Sequence, residues 1–225
     1  MKIEIICATR LTEVDFRDKS ALGISLRRLP DDGRLLAKIA VNNNRGLPDI
    51  YNEQLMAAED GHIVVFMHDD VWIDDFFFTQ RIIEGLDQYD VLGVVGNRRR
   101  VAQQPGWLFI DSRFTWDKNE NLSGAIAHST EPFGSISRFG DTPGACELLD
   151  GVFLAARKST LVENNCLFDP RFDFNFYDMD FCRTARQKGL TLGTWPICLT
   201  HQSAGQFDSA RWRKSLRLYL DKWGP

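Results

Sequence analysis

A histidine and two carboxylates stand together where a hydrophobic segment stops: His68-Asp69-Asp70 follows the apolar run His62 to Met67 and precedes Val71. Adjacent carboxylates repel, and they are costly to desolvate unless a cation or hydrogen bonds compensate. A Mg²⁺ or Mn²⁺ ion carrying a diphosphate supplies that compensation. It takes one or two protein carboxylates, with phosphate oxygens and water completing the octahedron. The alternative open here is that Asp69 and Asp70 cap the next helix, since Asp is a favoured capping residue.

A second acidic run extends from Asp173 to Asp180. Asp178 and Asp180 are two apart, so they do not share a helical face: one points into a site, and the other braces the helix or an arginine. Both sit at a predicted helix start, where the dipole favours negative charge. That placement predicts an ionised Asp178 with a pKa lower than ideal for a base. Asp150-Gly151 ends or interrupts a strand, with Glu147 a weaker candidate nearby. His201 follows a strand, beside Gln202-Ser203-Ala204-Gly205, a setting that favours a functional histidine over a merely structural one. The basic cluster Arg98-Arg99-Arg100 reads equally as a solvated loop or a phosphate-facing one.

The elements that must position these residues follow from periodicity. Lys2 to Ala8 reads as a buried strand ending at the polar turn Thr9-Arg10. Ser20 to Leu29 reads as a short amphipathic helix stopped by Pro30 and Asp31-Asp32-Gly33. Leu35 to Val41 is a second strand opening into Asn42-Asn43-Asn44, itself either a ligand loop or a plain polar turn. Pro48 to about Ala58 is a helix, and His62 to Met67 a strand covered on both faces. Asp74 to Leu86 reads as a helix and Val91 to Val95 as a fourth strand. This βαβα rhythm implies parallel strands with ligands at their carboxyl ends. Asn97 to Ala145 breaks it and reads as a β-ribbon and loop insertion, whose Trp107 and Trp116 are expected as local core. Leu148 to Ala156 is then a strand, Tyr177 to Lys188 a helix closed by Gly189, Thr191 to Cys198 a strand, and Ser209 to Leu220 a basic amphipathic helix.

The chain has 225 residues, 44% hydrophobic and 26% charged, which suits one α/β domain with an ordinary core. Its net charge of -4 argues against nucleic acid as a partner. Five scattered cysteines without a C-x-x-C pair argue against a disulfide framework and a thiolate zinc site, and suit reduced, buried thiols in the cytoplasm. The apolar run Ile3 to Ala8 is too short for a signal sequence or a membrane span, so any membrane contact is expected to be peripheral or through a partner. The basic face of the last helix, with Arg211, Arg213, Lys214 and Arg217, could serve such contact, the default being a solvated face.

Taken in order, these segments resemble the family-two glycosyltransferases of GT-A fold, in a branch whose acidic turn reads His-Asp-Asp-Val in place of Asp-x-Asp. The resemblance spans nearly the whole chain: Ala8-Thr9-Arg10, Tyr51-Asn52-Glu53, His68-Asp69-Asp70-Val71, Leu149-Asp150-Gly151-Val152-Phe153, Phe176-Tyr177-Asp178-Met179-Asp180-Phe181, Arg183, Gly189 and His201. It implies a single domain over residues 1–225, with a nucleotide-binding half (1–97) and an acceptor-binding half (98–225). It implies nucleoside contacts from Ala8, Thr9, Arg10 and Asn43, support from Asn52, and a donor-sugar or ribose contact from Asp69. Asp70 and His201 become metal or diphosphate residues. His68 departs from the family's first acidic position and is a metal ligand, a ribose contact or a buried hydrogen-bonding residue. Asp178 becomes the base, with Tyr177 where many relatives carry Glu, and Asp150, Gly151 and Glu147 lie near acceptor and donor sugar.

The implied activity is metal-dependent transfer, inverting in most of the family, from a nucleotide-diphosphate sugar (UDP being commonest) to a hydroxyl of a carbohydrate or glycoconjugate. Two rivals remain. A sugar-nucleotide nucleotidyltransferase would carry a glycine-rich loop after the first strand, where this chain has Ala8-Thr9-Arg10-Leu11. A non-catalytic carbohydrate- or nucleotide-binding module is left open by His68 and Tyr177.

Overall fold

The computed structural model describes residues 1–29, 32–203, 205 and 207–224. The expected helix stop at Pro30 and Asp31, and Ala204 beyond His201, lie outside them. The first strand β1 (Ile3–Ala8) leads to α1 (Glu13–Lys19) and α2 (Ala21–Arg28), which meet at Ser20. Ser20 ends one helix and caps the next, its hydroxyl accepting from Gly23 N–H. Strand β2 (Leu35–Ala40), α3 (Leu47–Ala57) and β3 (Ile63–Met67) follow. All five β3 residues are buried, as a strand covered on both faces requires.

Beyond the acidic turn the chain departs from expectation. A short strand, β4 (Val71–Ile73), comes first, and α4 (Phe78–Leu86) starts later than Asp74. Asp69 and Asp70 therefore precede a strand and cap no helix. The fourth strand is likewise two pieces, β5 (Val91–Gly93) and β6 (Val95–Asn97), because the chain changes sheets at Val94. The insertion carries β7 (Leu122–His128), β8 (Ser135–Arg138) and β9 (Gly144–Cys146). The strand expected over Leu148 to Ala156 is split by Asp150-Gly151-Val152 into β10 (Leu148–Leu149) and β11 (Phe153–Arg157), with α5 (Lys158–Glu163) after it. Helix α6 (Tyr177–Gln187) is followed by Gly189 at φ 81°, where any other residue would be strained. The strand expected over Thr191 to Cys198 is again two, β12 (Leu192–Thr194) and β13 (Leu199–His201), divided around Trp195-Pro196. His201 thus ends a strand instead of following one. Helix α7 (Ala210–Trp223), capped by Ser209, closes the fold.

Seven strands form the main sheet in the order β2-β1-β3-β11-β5-β12-β9. Three of its six pairings are parallel, so it is mixed: antiparallel β11 inserts between β3 and β5. A second sheet runs β10-β6-β7-β13-β4, with β8 on β7. Two apolar clusters cover opposite faces of the main sheet. One is centred on Tyr51, Phe66, Phe168 and Phe181, and the other on Ile5, Val65, Phe78 and Phe153.

The basic helix α7 is tied inward. Lys222 bonds Asp169 and Asp180, Arg213 pairs with Asp208, and Arg211 reaches Asp173. Asp180 is fully buried and also accepts from Trp223 Nε1 at 2.7 Å, so it braces the helix, through a lysine and not an arginine. Among the described residues no helix is long and apolar enough to cross a membrane. Cys7, Cys146, Cys166 and Cys182 are buried free thiols, and Cys198 is exposed.

Candidate active site

A cleft of about 770 Å³ opens over the carboxyl ends of β1 and β3. Its wall includes Ala8, His68, Asp69, Asp70, Asp150, Gly151, Tyr177, Asp178 and His201. Strand pairing explains how residues so distant in sequence meet. Strand β13 runs antiparallel to β4 with His201 opposite Val71, which sets His201 beside Asp70. The same strand runs parallel to β7 with His201 opposite His128, so a third imidazole enters the cleft. Nothing in the sequence marked His128, since the register of two strands over seventy residues apart is invisible there.

His68, Asp70 and His201 present ligand atoms that all lie within 4.8 Å of one another. His201 Nε2 is 3.3 Å from Asp70 Oδ1, and His68 Nδ1 is 3.9 Å from it. That oxygen is buried and, among the described residues, has no hydrogen bond. A buried carboxylate oxygen without a donor is costly, and a cation among these three side chains would satisfy it. The site therefore fits a divalent metal, with two imidazole nitrogens and a carboxylate as donors. Burial pushes the Asp70 carboxyl up, but the neighbouring His201 and His68 outweigh it and hold it at about 2. Burial lowers both histidines; Asp70 reverses this for His201, whose pKa ends raised, while that of His68 stays depressed. Asp69 turns the other way, its Oδ2 accepting from the buried Thr9 hydroxyl at 2.5 Å and so joining the ends of β1 and β3.

A second group of side chains enters the cleft from α6. Phe176, at its N-terminus, is held at φ 67°, a conformation costly for a bulky residue, by packing on Trp212 and Tyr219 of α7. The helix thereby starts with Tyr177 and Asp178 against Gly151. A Cβ at residue 151 would come within 2.3 Å of the Tyr177 hydroxyl, so only glycine permits this approach. Gly151 N–H donates to Asp178 Oδ2 at 3.0 Å. Burial first, and then the charge of Asp150, raise the Asp178 carboxyl to about 7. This corrects the expectation of a lowered value: desolvation and a like charge outweigh the helix terminus. Asp150 is itself anchored, accepting from Trp107 Nε1 at 2.5 Å and from Val152 N–H at 2.8 Å.

The other sequence candidates lie away from the cleft. Arg10 is exposed at the end of the turn. Asn43 folds on itself, accepting from Arg45 N–H and donating to Arg45 O, so it makes the polar turn. Asn52 clamps Phe168 through bonds of 2.7 and 2.9 Å to its backbone, neither touching the cleft nor facing solvent freely. Glu147 pairs with Arg186 at 2.9 Å. Arg98 bonds Asp141 O, Arg99 pairs with Asp117, and neither they nor Arg100 line the cleft. Trp107 and Trp116 both do: Trp107 packs against the apolar clusters as expected of local core, whereas Trp116 is 59% exposed.

A family model described as "Glycosyltransferase like family" matches residues 26–210. The chain belongs to that family. In the GT-A fold it resembles GalNAc-T7, solved with UDP, GalNAc and Mn²⁺, with a TM-score of 0.61 at 10% identity over 99% of this chain and 48% of that one. It also resembles the mannosyltransferase PcManGT of Pyrobaculum calidifontis, solved with GDP-Man and Mn²⁺, at TM-score 0.54, 12% identity, and coverage of 94% and 59%. At these identities the likeness is one of fold. A curated relative, "ATP synthase subunits region ORF 6" of Fuscovulum blasticum, is 27% identical over 162 residues. The match spans 71% of this chain and 59% of that protein's length.

Proposed function

We propose that this chain transfers a sugar from a nucleotide diphosphate, with UDP the favoured nucleotide, to a hydroxyl of a carbohydrate or glycoconjugate, with inversion. The observation that carries the reading is the orphaned Asp70 Oδ1 between His68 and His201, in one cleft with a carboxyl held near neutrality. Nucleotide-sugar and Mn²⁺ complexes of fold relatives support it. In this reading residues 1–97 hold the nucleotide, with Ala8, Thr9 and Asp69 along its ribose and base, and residues 98–225 hold the acceptor. Arg10, Asn43 and Asn52 stand outside the cleft wall.

His68, Asp70 and His201 hold the cation. Two imidazoles suit Mn²⁺ better than Mg²⁺, which prefers oxygen ligands and its own waters. Bound there, the ion supplies positive charge against the negative charge that grows on the departing diphosphate. Asp178 takes the proton from the acceptor hydroxyl, whose oxygen bonds to the anomeric carbon as the bond to diphosphate breaks. Asp150, fixed by Trp107 and Val152, keeps Asp178 basic enough for that step. The aromatic wall of Trp107 and Trp116 offers stacking faces to acceptor rings. Four buried free thiols suit a cytoplasmic location.

A panel of UDP-, GDP- and dTDP-sugars, assayed for hydrolysis with and without Mn²⁺, tests this. Turnover of one donor only with the metal is expected. Metal-dependent thermal stabilisation without turnover of any donor would instead mark a binding module.

A further inference from the structure

His68 and Tyr177 are 109 positions apart and touch: His68 Nε2 lies 2.9 Å from the Tyr177 hydroxyl. That hydroxyl also donates to Gly151 O at 2.8 Å. A tyrosine has one hydroxyl proton, and a carbonyl oxygen can only accept. With its proton committed to Gly151, the hydroxyl can only accept from His68, so Nε2 carries the hydrogen. Nδ1 is then the bare nitrogen, and it is Nδ1 that faces Asp70, 3.9 Å from the orphaned oxygen. The phenol cannot swing away. Tyr177 is buried, its ring packed against Tyr51 at 5.8 Å and Phe168 at 6.0 Å, with Gly151 closing the third side.

We infer that Tyr177 is a positioning residue which, through its hydroxyl, holds His68 as the Nε2–H tautomer with Nδ1 presented to the cation. This rests on the cation site proposed above. Groups that fix the tautomer of a ligating histidine typically carry about 10–100-fold in metal affinity. The same link makes the start of α6, and hence Asp178, move with the metal site.

The test is a double-mutant cycle on the full chain, read as Mn²⁺ affinity by electron paramagnetic resonance of the free ion. Tyr177→Phe keeps the ring packing and removes only the hydroxyl, and is expected to weaken Mn²⁺ binding by about 10–100-fold. His68→Asn places an amide where Nδ1 stood but does not reach the tyrosine. In that background Tyr177→Phe is expected to change affinity less than about twofold, the additivity limit of such cycles. Equal losses in both backgrounds, or no loss in either, would overturn the inference in favour of a purely structural tyrosine.

Because Gly151 O loses its donor in Tyr177→Phe, melting temperatures are followed alongside. Should that variant not fold, the tautomer is read in the wild-type chain without metal by two-bond ¹⁵N–¹H NMR. A protonated Nε2 on His68 supports the inference, and a protonated Nδ1 overturns it. Failure of the wild type to bind Mn²⁺ would sink the cation site itself, a result the tautomer signal keeps distinct.

Discussion

Asp178 carries the sharpest consequences at the scale of single residues. Its pKa of about 7 means that transfer should rise with pH through neutrality as the base ionises, levelling above it. Asp178→Asn should lower kcat by about 10²–10⁴-fold while leaving Mn²⁺-dependent nucleotide affinity within about twofold, checked by single-turnover assay and calorimetry. Stability gives an independent reading. The raised pKa means the folded chain retains a proton that the unfolded chain releases above about pH 4. Its stabilising contribution is therefore complete in acid and lost as pH rises through about 7. The same Asn variant should gain melting temperature over wild type at pH 8 and show no gain at pH 4. Sequence made much of this legible, since an acidic turn and an acidic helix start are local patterns. It could not reveal His128, or the meeting of Tyr177 with His68, because both depend on pairings between distant segments. The raised value for Asp178 is hidden from sequence for a related reason: the helix dipole is local, whereas the burial and the charge of Asp150 are tertiary.

Among the elements, the errors fall where a strand-like apolar run is broken to serve the site. Leu148 to Ala156 reads as continuous, yet Asp150-Gly151-Val152 leaves the sheet, so that Gly151 meets the start of α6. Hydropathy cannot report such a kink, because both halves remain buried. Gly151→Ala should force the Tyr177 hydroxyl or α6 to shift, costing on the order of 1–3 kcal/mol by overpacking, measured by urea unfolding. Because the same shift pulls at His68 and Asp178, Mn²⁺ affinity should fall with it. Helices α1 and α5 went unread for a different reason. Each is short, seven and six residues, and offers little apolar periodicity.

For the whole molecule, the neighbours β1, β3 and a returning antiparallel β11 bring Ala8, the His68-Asp69-Asp70 turn and Asp150-Gly151 to one end of the main sheet, while the second sheet adds His128 and His201 and α7 adds Trp212 to the same cleft. The βαβ rhythm of the first half announced the fold class. The mixed sheet was not announced, because β11 and β12 find their neighbours only through long crossovers. Helix α7 supports the site directly: Trp212 lines the cleft and packs on Phe176, and so helps hold the strained start of α6. Trp212→Ala should cost about 3–5 kcal/mol of unfolding free energy, as large core truncations do. All of these readings converge on the cluster of His68, Asp70 and His201. Calorimetric titration of UDP into the protein with and without Mn²⁺, repeated with Asp70→Asn, tests it most directly. The account predicts binding that requires Mn²⁺ in the wild type and is lost in the variant. UDP binding of equal strength without metal, or undiminished in Asp70→Asn, would contradict it.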